Sequence, residues 1–152
     1  NHIHLLLKQV KDGGISKFMK KVGGGYANFF NKKYTRKGHL FNQVKAIHVK
    51  DDNQLRNVVT YIHCTPISLV QPGWKDGGID DPVKALDFLE NKYRWSSLWD
   101  YSGKPNFASV TSRNFLTELI GKDGIIKEVK NWIAYKAELN RATEMHGSLF
   151  LE

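Results

Sequence analysis

His2-Ile3-His4-Leu5-Leu6-Leu7-Lys8 is the stretch on which the reading of the fold turns. It is short and apolar, and the turn-forming Asp12-Gly13-Gly14 follows it, so it reads as a β-strand. Side chains on a strand alternate between faces. His2 and His4 are therefore expected on one face, and Ile3 in a core on the other. Two imidazoles about 7 Å apart along such a strand can converge on one divalent ion. The spacing alone fits two polar residues on a solvated sheet face equally well.

Outward from this stretch the periodicity changes. Ile15, Phe18, Met19, Val22, Tyr26, Phe29 and Phe30 recur at steps of three and four, the stripe of a core-facing helix. Gly23-Gly24-Gly25 interrupts it, and each glycine costs roughly 1 kcal/mol relative to alanine inside a helix. A bend, a break or a close approach to a neighbour is expected there. Gly38 ends the segment. Residues 39–50 read as one strand or two short ones. Asp51 or Asp52 is placed to cap a helix whose Leu55, Val58, Val59 and Ile62 face the core, and Pro66 ends it. Residues 71–81 form a Pro/Gly/Asp-rich loop. Asp81-Pro82 starts a helix over 82–92, and residues 93–110 are irregular and aromatic. Helices follow over 112–120 and 124–141, the second with Ile125, Ile126, Val129, Trp132 and Ile133 inward. There is no internal repeat.

The 152 residues are 41% hydrophobic and 25% charged, which suits a soluble globular chain. No apolar run approaches the ~20 residues of a membrane span, and no signal peptide is visible. A single cysteine, Cys64, excludes an internal disulfide and fits a reducing compartment. The net charge of +8 is unevenly placed. Residues 1–50 hold eleven Lys/Arg against one acid, Asp12, which leaves twelve basic and fourteen acidic residues for 51–152. A basic segment of this kind points to a polyanion, usually nucleic acid. The chain opens inside its expected strand without Met, which reads as a start lacking upstream residues.

Tyr61 stands on the shoulder of the Leu55/Val58/Val59/Ile62 stripe, with Thr65 one turn later and Gln54 two turns earlier. Most tyrosines at a core edge are packing residues. As a nucleophile a phenol needs a metal-polarised phosphate, because its free pKa is ~10. The histidine pair would supply the metal.

Asn1-His2-Ile3-His4-Leu5-Leu6-Leu7 resembles the His-hydrophobe-His (HUH) motif of single-tyrosine transposases. Tyr26-Ala27-Asn28-Phe29-Phe30-Asn31 and Gly38-His39-Leu40-Phe41-Asn42-Gln43-Val44-Lys45-Ala46 resemble the segments that follow it in the REP-associated branch of these IS200-like proteins. Tyr61-Ile62-His63-Cys64-Thr65-Pro66 resembles that branch's nucleophile helix. Tyr93-Arg94-Trp95-Ser96-Ser97 resembles a tryptophan-containing segment near its C-terminal end.

The resemblance implies an α+β, ferredoxin-like antiparallel sheet with packed helices, the histidine pair on a central strand and further helices at the C-terminus. It divides the chain into a catalytic core over 1–70, with an incomplete start, and an extension over 71–152. It implies a Mg²⁺ or Mn²⁺ ion on His2 and His4, and cleavage of single-stranded DNA near a hairpin. Tyr61 is the implied nucleophile, leaving a 5′-phosphotyrosine and a free 3′-OH. Where the family often has Asn or Gln as a third ligand, this chain has Thr65, a weaker one.

His63 is expected about 160° around the helix from Tyr61. His39, His48 and His146 are given no role. Lys8, Lys17, Lys20, Lys21, Lys32, Lys33, Arg36, Lys37 and Lys45 are the candidate DNA-backbone contacts. The implied setting is the bacterial cytoplasm, at the nucleoid, as monomer or homodimer and away from membranes. The alternative is a non-catalytic nucleic-acid-binding descendant. A metal-dependent hydrolase is disfavoured because no carboxylate accompanies the histidines.

Overall fold

The computed structural model describes residues 2–42 and 44–148, with 143–148 described by backbone alone. Asn1 and Gln43 of the motifs above, and the His146 side chain, lie outside what is described. The chain divides into two compact units, residues 1–49 and 50–152.

In the first unit, helix α1 (Gly14–Lys33) starts after Gly13, whose φ of 67° is the left-handed conformation glycine tolerates best. α1 is helical straight through Gly23-Gly24-Gly25, and a Cβ at any of the three would meet nothing within 4 Å. The glycines therefore mark neither a break nor a close approach. No side chain of α1 is buried. Its stripe instead gathers rings: Tyr26 lies 6.1 Å from Phe30 and 5.9 Å from Phe41, and Phe30 lies 4.5 Å from Tyr34. Asn31 Nδ2 donates to the Gly38 carbonyl at 2.9 Å and ties the helix end to the turn beyond it.

The expected ferredoxin-like sheet is absent: no strand occurs among the described residues, and both 2–10 and 39–50 lack one. Ile3, expected in a core, is 75% exposed, and Val44 and Ile47 are exposed too. The reason is physical. Apolar alternation makes a segment suitable for a strand, but a strand exists only where a second segment takes up its backbone hydrogen bonds.

The second unit is all helical among its described residues. It comprises α2 (Asp52–Cys64), a 3₁₀ turn (Thr65–Leu69), α3 (Trp74–Gly77), α4 (Pro82–Asp87), α5 (Leu98–Tyr101), α6 (Asn114–Ile120) and α7 (Gly124–Ser148). Asp51 caps α2, its carboxylate accepting from Gln54 N at 2.8 Å. Asp81 caps α4 in the same way, accepting from Lys84 N at 2.8 Å. α4 continues as a π-helical turn, Phe88–Lys92. Pro66 does not stop the chain's coiling. It sits in the first turn of the 3₁₀ segment, where its missing N–H costs nothing.

α7 is the rod on which this unit packs. It buries Ile125, Val129, Ile133 and Ala137, one residue per turn, and α2, α3, α4, α5 and α6 all pack on it. Each large aliphatic side chain so buried contributes about 1.5–3 kcal/mol. Ile126 and Trp132, expected inward, are only half-buried. The loop after the 3₁₀ turn is closed by one side chain. Gln71 is buried; its amide Nε2 donates to Asp81 O at 2.7 Å, and its Oε1 accepts from Asp80 N at 3.0 Å and Asp81 N at 3.2 Å.

Candidate functional site

On α2, Leu55 and Val59 turn into the core as the periodicity requires, and Thr60, His63 and Cys64 join them. Val58 and Ile62 are half-buried, so the buried face is rotated toward the polar residues. Tyr61 is left at the rim, 38% exposed. Its hydroxyl oxygen accepts a hydrogen bond from Lys75 Nζ at 3.1 Å, and that ammonium also lies 5.2 Å from the centre of the Tyr61 ring. A charged donor and a quadrupolar ring face thus fix one side chain against the other.

His63, two residues on, points into the protein. Val59 O can only accept, so His63 Nδ1 donates to it, at 2.9 Å, and Nε2 accepts from the Ser97 hydroxyl at 3.0 Å. Burial pushes its pKa down to about 4, partly opposed by the Val59 hydrogen bond. A neutral, doubly bonded imidazole of this kind holds the helix and is not offered to a ligand. Burial likewise pushes the Cys64 thiol up to about 12. Thr65 Oγ1 donates to the Tyr61 carbonyl at 2.8 Å, one turn back along its own helix.

In the first unit His2 and His4 do come together, without a strand to align them. Their Nε2 atoms are 3.0 Å apart and the rings meet edge to face at 4.6 Å. The nitrogen separation is that of a hydrogen bond between the two rings, and it also equals the spacing, about 3.0 Å, of two nitrogens bound at right angles to one ion at ~2.1 Å. No cluster of three or more His, Cys, Asp or Glu suited to a metal occurs among the described residues. His2 and His4 belong to one compact unit, and Tyr61 and Thr65 to the other.

The basic residues are also organised. Lys8, Lys17, Lys20, Lys21, Lys32, Lys33, Arg36, Lys37 and Lys45 are all exposed. At about 100° per residue, Lys17, Lys20, Lys21 and Lys32 fall within about 120° of arc on α1, opposite the aromatic stripe. No acid occurs on that helix. Lys33 faces the other way, its ammonium 5.4 Å from the Tyr34 ring centre.

Two features escaped the sequence reading. Lys75 stands on the short helix α3, fourteen positions from Tyr61, where no periodicity marks it. The other is an exposed stack: Trp95, 71% exposed, lies 5.8 Å from Phe107 at 20° between planes, with the Arg94 guanidinium 5.4 Å and 5.2 Å from the two ring centres. Trp95 was noticed in sequence, but its partner Phe107 is brought in only by the fold.

Residues 1–65, less than half of the chain, are similar to the family described as Transposase IS200 like. The match spans His2, His4 and Tyr61 and ends at Thr65; residues 66–152 lie outside it. No curated protein and no solved structure matches the chain. No helix among the described residues is long and apolar enough to cross a membrane.

Proposed function

We propose that this protein cleaves and rejoins single-stranded, hairpin-flanked DNA through a 5′-phosphotyrosine on Tyr61, in the manner of the REP-associated tyrosine transposases. The observation that carries the reading is the division of labour on α2. His63 and Cys64 are consumed by the core, whereas the Tyr61 hydroxyl stands at the surface with an ammonium against it.

The Tyr61 oxygen attacks the scissile phosphorus, the bond to the 3′ oxygen breaks, and that oxygen takes up a proton as the phenol loses one. Attack by another 3′-OH reverses the exchange, so the bond energy is kept and no nucleotide cofactor is needed. A Mg²⁺ or Mn²⁺ ion held by His2 and His4 would supply neutralisation of charge on the phosphate oxygens. The lysine face of α1 binds the DNA backbone, so affinity falls linearly with salt on logarithmic axes.

The test is incubation with a library of hairpin-bearing single-stranded DNA and Mg²⁺ or Mn²⁺, followed by denaturing electrophoresis. A covalent protein–DNA adduct is expected. Tyr61→Phe abolishes it while leaving DNA binding nearly intact, and His2→Ala with His4→Ala abolishes it through loss of the ion. Thr65→Asn, which restores the usual ligand type, raises the yield. An adduct that survives Tyr61→Phe refutes the assignment.

A second reading, a non-catalytic nucleic-acid-binding descendant, draws support from the Arg94–Trp95–Phe107 stack. An exposed tryptophan backed by a second ring is a platform on which an unpaired base stacks. On that reading DNA is bound and no adduct forms under any condition.

A further inference from the structure

We propose that Lys75 is a catalytic residue of the same centre: its ammonium binds the non-bridging oxygens of the phosphodiester that Tyr61 attacks. This rests on the tyrosine reading above and extends it to a residue outside the family match.

Three observations converge on Lys75. Its Nζ lies 3.1 Å from the Tyr61 hydroxyl oxygen. A phosphorus in line for attack stands about 3–3.5 Å from that oxygen, which brings a non-bridging oxygen within hydrogen-bond reach of the same ammonium. Second, the backbone that carries Lys75 is held on both sides. Trp74 is buried and its Nε1 donates to Ser68 Oγ at 2.8 Å; Gly78 N donates to Trp74 O at 3.1 Å. Third, α7 straps α3 and the residue pair after it in both directions. Lys136 Nζ donates to Lys75 O at 3.0 Å, and Ile79 N donates to Lys136 O at 3.2 Å. Gly78 makes the approach possible: at φ 90°, a Cβ there would stand 2.6 Å from Lys136 O.

During attack the phosphoryl group carries its negative charge on the non-bridging oxygens, and a preplaced cation stabilises that charge without reorganising. In the exchange the Tyr61 Oη–P bond forms and the P–O3′ bond breaks. Lys75 keeps its proton throughout and acts by charge alone. Lysine suits this role as a compact point charge.

The experiment uses the full chain and two probes. For binding, fluorescence anisotropy with dT20 gives the slope of log affinity against log salt. Lys75→Gln is expected to reduce the slope by about 0.7, the value for one lost single-strand phosphate contact. Lys75→Arg and the exposed Lys84→Gln leave it unchanged. For chemistry, adduct formation with the hairpin library is expected to slow at least tenfold in Lys75→Gln and to recover partly in Lys75→Arg. A lysine that merely props the Tyr61 ring would slow the adduct and leave the salt slope untouched, which overturns the proposal. Wild-type rate and slope in Lys75→Gln overturn it as well, even while Tyr61→Phe abolishes the adduct and so sustains the parent reading. Absence of dT20 binding by the wild type overturns both.

Discussion

Replacing His63 by glutamine removes the one imidazole buried among the described residues of the second unit, and its effect on acid stability follows from the structure. In the fold its pKa is about 4, against 6.5 for a free imidazole, because desolvation outweighs the Val59 hydrogen bond. A depressed cationic pKa means that the unfolded chain binds the proton more readily, so stability rises with pH wherever the two states differ. The contribution is complete above about pH 6.5 and is lost as pH falls toward about 4, at up to ~1.4 kcal/mol per pH unit. By pH 5 the loss amounts to about 2 kcal/mol, and by pH 4 to about 3 kcal/mol.

Urea unfolding at pH 8 and pH 5, followed by tryptophan emission, measures it. All four tryptophans, at 74, 95, 99 and 132, lie in the second unit, so the signal reports that unit. Wild type should lose about 2 kcal/mol more than His63→Gln between the two pH values. Parallel losses in the two proteins would refute the buried, neutral imidazole.

Gly78→Ala should cost at least about 1–3 kcal/mol by the same urea assay, since it adds backbone strain at φ 90° to a collision with Lys136 O and Asn140 Cβ. Its neighbour makes the control: Gly77→Ala meets nothing within 4 Å and should be neutral or slightly stabilising. Cys64, fully buried with its thiol pushed up to about 12, should resist a disulfide-exchange reagent at pH 8 until urea unfolds the chain. Prompt reaction in the native protein would show that the end of α2 opens readily.

The helices were legible because their signals are local. Asp51 and Asp81 cap where a short acid before an apolar period predicts, and α7 buries Ile125, Val129 and Ile133 on the stripe the spacing defines. The sheet was misread because pairing is not local: nothing within His2–Lys8 reveals whether a partner backbone exists. At the candidate site, the place of Tyr61 at the exposed edge of α2 follows from the spacing, whereas a role for it does not. His63 looked like any polar residue, because its burial depends on Ser97, thirty-four positions away. Lys75 was invisible for a similar reason. Its meeting with Tyr61 is arranged by α7, and loop composition carries no record of that helix.

The strap between α7 and residues 74–80 has a consequence for shortened copies of the chain. Lys136 reaches Lys75 O, and Asn140 Nδ2 donates to Asp80 Oδ1 at 2.9 Å. Both anchors stand some seventy residues downstream of the last position the family match touches. Loss of the chain from shortly before Lys136 onward would leave every motif residue of the first 65 intact, yet it would cut away the helix that holds the backbone of Lys75. A copy shortened in that way would keep every residue of the family match and lose the strap.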